Sequence, residues 1–329
     1  MCVTPDMGAS IGGLRKIIKV AVFALAVAGT VRTRARLLAL LGAAAAGTAV
    51  VALDGLWQVA TGTDVFGALP GDAPGGLRRL TALYPHANHF AIHGLVVLPA
   101  FPVLMRHARH AWQRRAAAVG LGVVIPAWWM TYSRPGLLGL AAMALVWLAA
   151  TRAWRAVAAC VAAGAVAALL MPPSVRAWIA AQPSWFDALV QPLRKEIWHA
   201  AWGMIQASPW IGLGVNTFLQ HFNRFKLPTD PQAPAYAHNN VLHMGAEIGA
   251  IGVAAFAWLL WRVAQAARRL LRHPDPAVRD AALAMACGAA AFLGIGLLES
   301  NLYSARSYVP FWLWVGALCA PALREPAPV

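Results

Sequence analysis

The chain has 329 residues, 60% of them hydrophobic and only 12% charged, and a formal net charge of +15. A soluble domain is rarely much more than about half apolar, so a water-soluble globule is excluded. The basic excess does not mark a nucleic-acid site, because the arginines punctuate the ends of apolar runs instead of gathering in one basic domain. Several runs reach the roughly 20 residues needed to cross a bilayer, and a spanning segment must satisfy its own backbone hydrogen bonds, so helices are predicted.

In chain order, helices are predicted near 16–31, 36–56, 89–105, 116–131, 136–151, 154–171, 240–261, 281–298 and 309–322. The fold class is therefore an all-α, polytopic transmembrane bundle of about eight or nine helices. Alanine- and glycine-rich runs such as LLALLGAAAAGTAVVAL and AACVAAGAVAALL suit close helix contacts in lipid. Of the four cysteines, Cys160, Cys287 and Cys319 lie in apolar runs and no CxxC pair occurs, so they read as small hydrophobes.

Four basic loops share one side if the helices alternate: Arg32, Arg34 and Arg36; Arg106, Arg109, Arg114 and Arg115; Arg152 and Arg155; and Arg262, Arg268, Arg269, Arg272 and Arg279. That side is assigned to the cytoplasm. The opposite side receives 57–88, 132–135, 172–239 and 299–308. The first helix fits poorly, since Arg15, Lys16 and Lys19 would be left outside. Residues 1–35 are accordingly set apart as an N-terminal segment, either interfacial or the remnant of missing helices, from a membrane domain at 36–322. The long outer loop, 172–239, is expected to carry amphipathic helices. Arg194, Trp198, Ala201, Trp202 and Ile205 recur at helical spacing, a face suited to the headgroup level.

Three residues on the outer side could carry chemistry. Arg134, in TYSRPGLLGL, precedes a proline suited to the first turn of a helix, where a guanidinium and a helix N-terminus can share an anion. The competing reading is an arginine that only anchors the helix end. Arg194 opens the amphipathic helix and is either a solvated charge or aimed at lipid phosphates. His238 stands just before a membrane helix, where an imidazole is a natural general base for a hydroxyl. Asn239 is a candidate helix cap. His243 and Glu247 share a face, and an ionisable Glu247 in an apolar helix reads as functional or as a buried structural hydrogen bond. Gly245, Gly249 and Gly252 form a stripe suited to helix packing. His89 and His93 are four apart, yet no cysteine or nearby carboxylate completes a metal site. No Asp-x-Asp, P-loop, GxGxxG or GxSxG occurs.

The ordered set DGLWQVATGTDVFG (54–67), arginines followed by YPHANHFAIH (84–93), SRPGLLGL (133–140), RKEIWHAAWGMIQASPWIGLGVNTF (194–218) and HNNVLHMGAEIGAIG (238–252) resembles the O-antigen ligase family. That group also holds O-antigen polymerases and protein O-oligosaccharyltransferases, and the first block looks most like the lipopolysaccharide core ligases. The resemblance implies transfer of a glycan from undecaprenyl diphosphate to a hydroxyl of lipid A–core at the periplasmic face of the inner membrane. It implies inversion at the anomeric carbon, and neither a metal nor another cofactor. It makes Arg134 and Arg194 diphosphate-binding residues and His238 the catalytic base, with Arg79, Asn239 and Glu247 as supporting candidates. Partners are then the lipid-linked glycan, the lipid A–core acceptor and membrane lipids, with no nucleic acid. Pro135 stands where the family has glycine, and the family has more membrane helices, so the chain is expected to be short at its N-terminus. A transporter or a non-catalytic membrane protein is the alternative from another class.

Overall fold

The computed structural model describes residues 7–72, 78–153, 155, 158, 162, 164, 173–181, 184, 190, 192–227, 234 and 236–323. The helix expected over 154–171 lies largely outside the described residues, as do Cys2 and Cys160.

Two membrane-length helices open the chain, α1 (Met7–Thr30) and α2 (Arg34–Thr61). A short antiparallel ribbon follows, with β1 (Gly71–Asp72) pairing β2 (Arg78–Arg79) so that Gly71 faces Arg79. Next come α3 (Ala87–Val97) and α4 (Ala100–His107), which Pro99 separates, then α5 (Ala111–Trp129) and α6 (Arg134–Thr151). The long loop contains α7 (Pro173–Ala180), α8 (Pro192–Ala207) and α9 (Phe218–Phe225). The chain finishes with α10 (Asn240–Leu270), α11 (Pro276–Ile295), a 3-10 turn at Asn301–Tyr303, α12 (Ala305–Leu318) and a second 3-10 turn at Pro321–Leu323.

Five described stretches are long and apolar enough to cross a membrane: α2, α3 with α4, α6, α10 and α11. The chain is a multi-pass, all-α membrane protein.

The helix starts follow from local chemistry. Thr33 accepts from Arg36 N, Ser133 from Gly136 N, Asn239 from Val241 N and Leu242 N, and Asp275 from Ala277 N. Each side-chain oxygen replaces an amide partner that the first turn lacks. Pro135 and Pro276 occupy the first turns of α6 and α11, where a missing N–H does no harm.

α11 is the central helix, in contact with α2, α3, α4, α6, α10 and α12. Its most extensive neighbour is α6, and glycine makes that approach possible. A Cβ on Gly294 would lie 2.8 Å from Leu138 O, and one on Gly139 would lie 2.8 Å from Ala291 O. Trp314 of α12 is fully buried and its Nε1 donates to Val96 O beside the α3–α4 break.

Contacts define two ends of the bundle. At one end Arg34 pairs with Asp275, and Arg106 and His107 pair with Asp280, which gathers three of the basic loops. The other end holds the ribbon, the long loop and the turn after α11. α1 runs alongside α12, with Gly316 against Ala24 and Val27. Its basic start reaches the second end, where Lys16 Nζ donates to Asn216 Oδ1 and Asn216 Nδ2 to Ala9 O.

α8 falls where the periodicity places it, but its faces differ from the expected ones. Ile197, Ala200, Ala201 and Met204 are buried against Phe218, Phe222 and Ala246. Trp198 is drawn in and donates to Ala237 O, whereas Trp202 stays exposed. Packing on α9 and α10 claims the small residues and leaves only part of the tryptophan face outward.

The glycine stripe of α10 is not a continuous helical face. Gly249 has φ 63° and ψ −171°, which breaks the helix. Residues 209–214 fill the break. Leu213 N and Gly214 N donate to Ala246 O and Glu247 O, while Ala250 N and Ile251 N donate to Pro209 O and Trp210 O. Non-helical backbone at membrane depth requires such partners.

Candidate active site

At the second end the elements enclose a cleft of about 690 Å³, within the usual range for ligand sites. Arg79, Arg134, Arg194 and His238 all line it, together with Glu299.

Each side chain is delivered by a feature of the local chain. The ribbon alternates, so Arg78 is exposed while Arg79 turns in, and Arg79 Nε donates to Thr131 O at 2.8 Å. Arg134 begins α6 directly after its Ser133 cap. Arg194 lies in the first turn of α8. His238 has φ 50°, a left-handed conformation, immediately before the extended Asn239 cap. Such backbone is uncommon outside glycine and asparagine and recurs at functional sites. Here it swings the imidazole toward the segment that follows α11.

That segment carries Glu299, the hub of the polar network. Its Oε1 accepts from Arg194 Nη2 at 2.6 Å and from Asn88 Nδ2 at 2.6 Å, and its Oε2 lies 3.1 Å from His238 Nδ1. Arg194 Nη1 also donates to Leu298 O at 2.6 Å. Asn88 Oδ1 accepts from Arg79 Nη2 at 3.1 Å and from the Ser133 hydroxyl at 3.0 Å. One chain of hydrogen bonds thus links Arg79, Ser133, Asn88, Glu299, Arg194 and His238.

The electrostatics favour an ionised carboxylate. Burial pushes the Glu299 carboxyl up, but the hydrogen bond and charge of His238 and the charge of Arg194 outweigh it and hold it below the usual range. Burial holds the Arg79 guanidinium below its ordinary value; Glu299 opposes this and Arg194 adds to it. Among the described residues the wall carries four guanidinium groups, of Arg79, Arg134, Arg194 and Arg306, and the carboxylates of Asp72 and Glu299. Positive charge therefore outweighs negative charge on the cleft wall.

His238 presents one nitrogen for chemistry. In the neutral ring, with Nδ1 donating to Glu299, Nε2 is the acceptor nitrogen, and it has no hydrogen-bond partner among the described residues. The His238 side chain is 38% exposed, against 13% for Glu299.

Two of the supporting candidates lie outside the cleft wall. Asn239 caps α10 and its Nδ2 donates to Leu297 O, which braces the Glu299 segment. Glu247 is buried, accepts from Phe218 N and lies 3.3 Å from His243 Nε2. His243 Nδ1 in turn accepts from Ala237 N, so this pair secures the backbone next to His238. His93 is held by Thr48 Oγ1 and the Tyr84 hydroxyl.

Sequence reasoning passed over Glu299, Asn88 and Arg306. Glu299 had one usable signal: it is a lone carboxylate at the end of an apolar helix, in GLLESNLYSAR. Asn88 sits in the quoted YPHANHFAIH block but has no distinguishing pattern of its own.

Among curated proteins none matches the chain. Residues 116–257 match the family model described as O-antigen ligase, a stretch that holds Arg134, Arg194 and His238 and stops short of Arg79, Asn88 and Glu299. Over that stretch, a little under half of its length, the chain is similar to the O-antigen ligase family.

Proposed function

We propose that this cleft transfers a glycan from undecaprenyl diphosphate to a hydroxyl of lipid A–core, with inversion and without a metal. The match to the O-antigen ligase family model supports glycan transfer of the ligase or polymerase type in general. The observation that carries the finer reading is the joining of His238 to Glu299 and Arg194 in a cleft that Arg79 and Arg134 also line.

The chemistry follows from the charges. The acceptor hydroxyl attacks the anomeric carbon from the face opposite the diphosphate and gives its proton to Nε2 of His238. The C–O bond to the diphosphate breaks and its electrons leave with the lipid diphosphate. Arg79, Arg134 and Arg194 neutralise the charge that develops, a task a divalent ion performs in other sites. Glu299 holds the imidazole in the productive tautomer and stabilises the imidazolium. In this reading the cleft faces the periplasm and the basic end faces the cytoplasm, as the positive-inside rule expects.

The test is the glycan pattern of cells carrying the chain as sole transferase. Long glycan attached to lipid A–core supports ligation. Long lipid-linked glycan left unattached in the null strain, and attached again on complementation, completes the case. A null strain that attaches a single repeat identifies a polymerase instead. Transfer to protein identifies the third branch of the family.

A further inference from the structure

Successive residues at the start of α3 meet two different sets of partners. Asn88 faces Arg79, Ser133 and Glu299. His89, turned by about 100° around the helix, faces α12, and its Nδ1 lies 2.7 Å from the Ser307 hydroxyl. His86 stands beside it with ring centroids 5.9 Å apart, and Arg306 lines the same cleft. The transfer chemistry uses none of these three.

Arg306 gives this wall a cation of its own. Arg306 is exposed and forms no ion pair among the described residues. The N-cap residues of α3 and α12, His86 and Ser304, both line the cleft, and neither caps its helix with a side-chain hydrogen bond. First-turn amides left without a side-chain cap add to the attraction for an anion. Ser300 gives a separate sign. It lines the cleft at 7% exposure, and its buried Oγ has no hydrogen-bond partner among the described residues. A buried hydroxyl without a partner is costly and asks for one.

We propose that His86, His89 and Arg306 form a second anion subsite, which takes a phosphate or carboxylate carried by the acceptor glycan near its accepting hydroxyl. The inference rests on the reading of the cleft as a transferase site. Arg79, Arg134 and Arg194 suffice for the donor diphosphate. A separate wall on the α12 side, with Arg306 as its cation and the two histidines as hydrogen-bonding groups, recognises a second anion, and its capture orients the acceptor hydroxyl toward His238.

The test is binding to the purified full chain in lipid nanodiscs. The probes are lipid A–core, the same material dephosphorylated, with its carboxylates amidated, or both, and undecaprenyl diphosphate. Arg306→Gln is expected to weaken native lipid A–core about tenfold, to leave undecaprenyl diphosphate binding unchanged and to keep the melting temperature. Arg306→Lys retains most of the affinity, and His86→Asn repeats the loss. Whichever neutralised probe binds the wild type as weakly as native probe binds Arg306→Gln names the anion. Equal binding of native and doubly neutralised probe overturns the subsite, as does a loss confined to undecaprenyl diphosphate. If the binding pattern holds while wild-type protein transfers no glycan, the subsite stands and the transferase reading fails.

Discussion

In the proposed mechanism His238 is the base and Glu299 its orienter, and the two make different predictions. His238→Ala removes the proton acceptor and should lower glycan transfer by about 10²–10⁴-fold, with the protein still in the membrane. Normal glycan ladders in that variant would sink the catalytic role. Glu299 is a pH sensor of site integrity, because its folded value lies below the usual carboxylate range. A depressed carboxylate contributes stability that is fully present above its unfolded value, about 4.3, and lost as pH falls through the folded value. The melting temperature in detergent should therefore be insensitive to this group at neutral pH and fall in acid. Glu299→Gln should flatten that acid limb and cost about 3 kcal/mol, since Arg194, only 12% exposed, loses its counter-charge. An unchanged acid limb would show that Glu299 does not supply it. Arg134, Arg194 and His238 could be read from the sequence because each sits in a recognisable block. Glu299 could not, because its partners Arg194 and Asn88 lie 105 and 211 residues away.

The broken α10 and the clamped ribbon loop show how elements deliver those residues. Gly249 tolerates its conformation only for want of a side chain, and a Cβ there would run into the Trp210 backbone. Gly249→Ala should destabilise the protein by about 3 kcal/mol or more. Gly47→Ala, on a helix with open space around the site, should be neutral or slightly stabilising. Equal melting temperatures for the two variants would contradict the role of the break. Gln58, in the DGLWQ block, is fully buried and works as a clamp. Its Oε1 accepts from Thr81 N and Ala82 N, and its Nε2 donates to Thr81 Oγ1 and Ala68 O. Gln58→Leu strands two buried amides and should cost on the order of 2 kcal/mol, with Arg79 loosened as the secondary effect. Hydrogen exchange that is faster at 79–82 but unchanged in α11 would register it. The sequence block offers a pattern of polar residues, yet it could not separate a clamp from a catalytic group, since both use the same amide chemistry.

Across the whole molecule the two ends have opposite tasks. The basic loops and their Asp275 and Asp280 partners hold one end, and the cleft occupies the other. Cysteine accessibility tests the orientation directly. In a cysteine-free background, Phe66→Cys should react with an impermeant maleimide on intact spheroplasts, whereas Arg109→Cys should react only after lysis. Both positions are exposed, Phe66 at 83%, so burial cannot mimic the result. The reverse pattern would place the cleft on the cytoplasmic side.

The amino-acid sequence by itself determined a multi-pass, helical membrane protein, the placing of arginines at the ends of its apolar runs and the order of the blocks that resemble the O-antigen ligase family. These are properties of local composition: a run of apolar residues crosses a bilayer wherever its neighbours lie, and arginines stay at its ends. Tertiary structure alone decided that Arg79, Arg134, Arg194 and His238 share one cleft, that Glu299 joins them, and that Glu247 serves the scaffold. Those facts depend on how α6 and α11 close on their glycines and on where the long loop re-enters α10. Contacts made across two hundred residues leave no periodicity in the chain.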